Sequence, residues 1–158
     1  MLRQVFVMLA AAATLALAGA AHATSSPNFR GHPTAVYSVV DGNSASIGVV
    51  VRMENRFSRR SDVELFAAPD LRAGQQVGRA FGGNSLSSIG DADRNCFTAE
   101  AARPEPRPRA REGAAWRLGY SLADKRIVHT VRITLRRLSA DDDWQRRAAK
   151  RLGCYSGG

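Results

Sequence analysis

"TAVYSVVDGNSASIGVVVRM", residues 34–53, places two runs rich in β-branched side chains on either side of Asp41-Gly42-Asn43. An Asp-Gly turn between such runs is a strong hairpin signal. In the second arm Ala45, Ile47, Val49, Val51 and Met53 alternate with Ser46, Gly48, Val50, Arg52 and Glu54. Period-two alternation predicts a strand with the first set in the core and the second mostly in water.

The same pattern recurs downstream. In "VELFAA", residues 63–68, Val63, Leu65 and Ala67 alternate until Pro69 ends the run. In "WRLGYSL", residues 116–122, Trp116, Leu118, Tyr120 and Leu122 share one face, leaving Arg117, Gly119 and Ser121 on the other. "ADK" at 123–125 turns the chain into "RIVHTVRITLRRL", whose inward set is Ile127, His129, Val131, Ile133 and Leu135. A second hairpin is expected there. Residues 70–92 are rich in Gly and Ser, with isolated Val77, Phe81, Leu86 and Ile89, which suggests a short strand at 77–81 within a long loop.

Two helices complete the expectation. In "DRNCFTAEAAR", residues 93–103, Asp93 can serve as an N-cap and Phe97 and Ala101 stand four apart, with Pro104 ending a short middle helix. Near the C-terminus Ser139 and Asp142 have capping-box spacing, and Asp141 to Asp143 suit the positive end of a helix dipole. Trp144, Ala148 and Leu152 form a stripe, and Gly153 supplies the stop. The fold class is therefore α+β: a mainly antiparallel sheet of two β-hairpins plus an extra strand, packed by a C-terminal helix and a short middle helix.

The first 23 residues read as a leader. "MLRQ" carries one positive charge, an apolar run rich in alanine follows, and "AHA" at 21–23 has the small-x-small pattern of a cleavage site. The run is short and alanine-rich for a membrane span. Residues 24–158 then form a single exported domain, periplasmic or secreted, with no integral membrane segment and a Pro/Arg-rich internal loop at 103–113. Export also suits the two cysteines, because an even count in an oxidising compartment predicts a disulfide between Cys96 and Cys154.

The formal net charge of the whole chain is +9, with 23 basic and 14 acidic side chains. Such an excess favours anionic partners. For an exported chain these are an acidic protein or an anionic envelope component, and nucleic acid is not the expected partner. Candidate anion-binding residues are Arg59 and Arg60 of the "RFSRR" turn, Arg103, Arg107, Arg109 and Arg111 of the proline-rich loop, and Arg126, Arg132 and Arg136 on the outward face of their strand. Arginine suits this use because its planar fork meets phosphate or carboxylate with two hydrogen bonds.

Other chemistry is mostly excluded by spacing. His32 and His129 form no zinc pattern, Asp141 to Asp143 lack calcium-loop spacing, and "FGGNSLSSIG" lacks the Lys and Ser/Thr of a P-loop. No cofactor or metal is expected. The reading is a small non-catalytic binding or accessory protein with a basic surface. One alternative is a cysteine hydrolase using Cys96, at the start of its helix, and His129 on a later strand. Another is an inhibitor or immunity protein for an exported enzyme.

Overall fold

The computed structural model of the chain describes residues 28–40, 44–54, 63–77, 86–104, 107–139 and 143–155. The expected leader, the expected turn at 41–43, residues 78–81 of the strand expected at 77–81, and Asp141 and Asp142 lie outside the described residues, and Val77 itself is not in a strand. Among the described residues seven strands and one helix are seen: β1 (Thr34–Val40), β2 (Ser44–Arg52), β3 (Glu64–Ala68), β4 (Ser87–Ser88), β5 (Cys96–Ala101), β6 (Ala115–Ser121), β7 (Ile127–Arg137) and α1 (Trp144–Arg151).

Both expected hairpins form. β1 pairs antiparallel with β2, and β6 pairs antiparallel with β7. The strands join in the order β3-β6-β7-β1-β2-β5-β4, and the β1–β7 pair is parallel, so the sheet is mixed. It also curls. Past the end of β5 the Ala102 N–H donates to the Leu65 carbonyl and the Ala67 N–H to the Ala102 carbonyl, at 2.7 and 2.8 Å. That bridge brings β3 against the far side of the sheet, so β3, β6, β7, β1, β2 and β5 encircle the core.

The interior is filled by the inward row of each strand: Ile47, Val49, Val51 and Met53 from β2 and its end, Leu65 and Ala67 from β3, Leu118 and Tyr120 from β6, Ile133 and Leu135 from β7. Phe29 closes one end, meeting Tyr120 edge to face with ring centroids 5.6 Å apart. Tyr120 is fully buried, and desolvation pushes its phenol up to about 12 from an ordinary value of 10. The folded chain therefore holds this proton at pH values where the unfolded chain has lost it, so stability falls as pH rises from 10 towards 12. The expected loss is about 2 kcal/mol by pH 12. Urea midpoints measured from pH 9 to 12 in wild type and Tyr120→Phe check this, since the phenylalanine variant should lose the Tyr120 share of the decline.

The expected mainly antiparallel sheet of two hairpins plus an extra strand is corrected to a mixed sheet of seven described strands, and four finer expectations change with it. Residues 96–101 are strand β5, not a helix, because their alternation also fits a strand and β2 offers a partner along its whole length, from Arg52↔Cys96 to Ile47↔Ala101. The outward face of β2 is not mostly wet: Val50 is 0 % exposed under α1. On β6 Gly119 and Ser121 are buried, and a Cβ at Gly119 would meet Leu71 Cδ2 at 2.8 Å, so the chain around Leu71 covers that face. Leu122, expected inside, lies past the end of β6 at 37 % exposure, because the register shifts between Tyr120 and Ser121.

Helix α1 forms as expected but starts later. Its N-cap is Asp143 rather than the expected Ser139, and the Asp143 side chain makes no capping hydrogen bond. The C-terminus has a Schellman motif, with the Gly153 N–H on the Lys150 carbonyl, the Cys154 N–H on the Ala149 carbonyl, and Gly153 at φ 68°. No described helix is long and apolar enough to cross a membrane.

Candidate functional site

The position of α1 organises the outer face of the sheet. Its first residue, Trp144, rests on Gly48, where an added Cβ would come 3.0 Å from the indole. At its other end, Arg52 Nη1 donates to the carbonyls of Leu152 and Gly153 at 2.9 and 3.0 Å. Gly48 and Arg52 are both outward residues of β2, about 13 Å apart along a strand, and α1 from Trp144 to Leu152 is about 12 Å long. The helix thus runs along β2, with Ala148 and Ala149 buried on Val50.

The Cys96–Cys154 disulfide fastens the C-terminal end of α1 to β5, with an S–S distance of 2.06 Å. Its neighbours are Val50, Ala148 and Ala149. Asp93 tightens the same corner. Its N–H donates to the Cys154 carbonyl at 2.6 Å, and its carboxylate lies 3.6 Å from Arg52 Nη2. Arg52 therefore meets the negative end of the helix dipole and one carboxylate together.

Beside this fastened end lies an open groove of about 930 Å³. Its lining includes Arg30 and His32 from the segment before β1, Arg52 at the end of β2, Arg132 and Arg136 from β7, and Arg151 from α1. Among the described residues the lining holds no Asp or Glu, and no ion pair forms at Arg30, Arg132, Arg136 or Arg151. Arg132 also sits directly across from Arg117 of β6, a like-charge pair that disfavours the apposition unless an anion screens it. The arrangement can receive phosphate, sulfate or carboxylate groups through charge-assisted, bidentate hydrogen bonds.

Of the candidate arginines named from sequence, the structure brings Arg132 and Arg136 into this groove. Arg126 does not line it: its Nη1 donates to the Gly74 carbonyl at 3.2 Å. Arg103, Arg107, Arg109 and Arg111 belong to the β5–β6 connection and do not line it either. That connection is partly tied down, since Ala110 and Ala114 pack against the core cluster and Arg103 Nη1 lies 3.5 Å from the Pro108 carbonyl. Arg59 and Arg60 lie outside the described residues. The groove residues that sequence reasoning missed are Arg30, His32, Arg52 and Arg151. Arg52 was legible as an outward strand residue, but its neighbours arrive from chain segments about 20, 80 and 100 residues away, and no spacing rule joins them.

His129 is half-buried beside Phe29, ring centroids 6.1 Å apart. Cys96 is on the helix-covered outer face, bonded to Cys154, so the pairing of a helix-borne thiolate with His129 does not form. Among the described residues no group of three or more His, Cys, Asp or Glu side chains could hold a metal ion. Comparison with protein-family models, curated proteins and solved structures gives no match to this chain.

Proposed function

We propose that this chain is an exported, non-catalytic binding protein that receives the phosphate or carboxylate groups of an anionic cell-envelope component in the arginine groove beside α1. The observation that carries this reading is the convergence of Arg30, Arg132, Arg136 and Arg151 with His32, beside the internally bonded Arg52, on one concavity whose described lining contains no carboxylate. Bringing that many guanidinium groups together costs self-repulsion, and an anionic ligand relieves it. The leader-like first 23 residues and the disulfide are compatible with work outside the cytosol. A thiol hydrolase at Cys96 would need the sulfur that the disulfide occupies.

Calorimetric titration with inorganic tripolyphosphate at low and at moderate salt tests the proposal. Exposed charges are screened over about 10 Å at 0.1 M salt, so affinity should fall at least roughly tenfold between about 20 and 300 mM NaCl. Binding that ignores salt, or no binding at the lower concentration, would reject an arginine-led site.

A further inference from the structure

A second groove, of about 480 Å³, opens at the opposite end of α1. Its lining differs in kind: the half-buried indole of Trp144, the hydroxyls of Ser38, Ser46 and Thr98, the amide of Gln145 and one carboxylate, Glu100. No arginine or lysine is among its described lining residues. The two grooves share a floor. On β1 the outward residues are Thr34, Val36 and Ser38; Thr34 lines the arginine groove, whereas Val36 and Ser38 line the second. Alternate residues of a strand stand about 7 Å apart, so the two concavities are adjacent along β1.

Resting on the anion-binding reading above, we propose that the ligand is an acidic oligosaccharide, its charged groups held by the arginines and an adjoining sugar ring held against Trp144. An apolar ring among short hydroxyls and amides matches a sugar, which offers C–H surface together with many hydroxyl groups. Glu100 accepts hydrogen bonds from such hydroxyls, while the charged groups of the chain turn towards Arg132 and Arg136. Gly48 is part of this design. A Cβ there would come 3.0 Å from the indole, so glycine lets Trp144 lie over β2 and line the groove without shifting.

The experiment compares tetragalacturonate with N-acetylated, C-amidated tetraglutamate, two probes with four carboxylates each but sugar rings in only one, on the full-length disulfide-bonded chain at low salt. The uronate is expected to bind about tenfold tighter, the worth of one ring contact and a hydrogen bond. It should also protect tryptophan fluorescence from acrylamide quenching, and tetraglutamate should not. That signal belongs to Trp144, because Trp116 is only 3 % exposed in the core. Trp144→Ala should bring the two affinities within about twofold of each other. Equal affinities in wild type, or an indole equally quenched with and without uronate, would overturn the sugar site and leave the arginine groove standing. Failure of both probes to bind would overturn the anion groove itself, and the sugar site with it.

Discussion

Reduction of the Cys96–Cys154 bond, or Cys154→Ala, is expected to lower the stability of the folded chain by about 4 kcal/mol, because the bond closes a loop with a sequence separation of 58. For a domain of this size that corresponds to a fall in Tm of roughly 15 °C. The loss has a particular location. Cys154 lies in the turn after α1, and the disulfide holds that turn on β5 while Arg52 and Asp93 hold it by hydrogen bonds. Freeing the sulfur should therefore loosen the wall that carries Arg151 and Leu152 before the rest of the sheet melts. Thermal unfolding with and without reductant checks the size of the effect. Hydrogen exchange at residues 144–155 checks where it begins, and uniform loss of protection over all strands would contradict this account.

Charge reversal at Arg132 and Arg136 is expected to separate binding from stability. The double variant Arg132→Glu and Arg136→Glu should lower affinity for tripolyphosphate at least roughly 100-fold, since two charge-assisted contacts are replaced by repulsion. Both side chains are exposed, and exposed substitutions usually change stability by less than about 0.5 kcal/mol. At position 132 the change should even help slightly, because a glutamate there would face Arg117 across the β6–β7 pair. Titration and urea unfolding of the same variant check both halves. A variant that loses stability and affinity together would point to a structural role for these arginines. By contrast, reversing Arg126, whose guanidinium is spent on the Gly74 carbonyl, should leave phosphate binding nearly untouched.

How much could be read from sequence differed by element. The two hairpins were legible because their signals are local: alternation reports one buried face, and Asp-Gly or Ala-Asp-Lys between the arms reports a turn. Lys125 indeed adopts φ 58° in the second of these, with its N–H on the Leu122 carbonyl. Residues 96–101 were misread because Phe97 and Ala101 stand four apart, a spacing common to both periods. In "CFTAEA" both Phe97 and Ala101 are buried in the core cluster, and so short a segment takes the conformation that its neighbour β2 can pair with. Val50 and Gly119 were misplaced for a related reason. Alternation shows which face meets the main core, but it does not show that α1 or the Leu71 segment covers the opposite face.

The candidate site was legible only as a surplus of positive charge and as the Arg132–Arg136 pair of one strand. The proline-rich 103–113 loop, with four arginines, is the most conspicuous basic stretch in the sequence, yet none of those four lines the groove. What the sequence by itself determined is the strand periodicity, the hairpin turns, the Gly153 stop and the availability of Cys96 and Cys154 for one bond. These follow from local steric preference and from covalent chemistry. Only the tertiary structure decided that β1 would pair in parallel with β7, that β3 would meet Ala102, and that α1 would lie along β2 with Arg30, Arg52, Arg132, Arg136 and Arg151 around its end. These contacts join residues far apart in the chain, and what selects them is the burial of apolar faces against one another rather than any preference that a short segment can express alone.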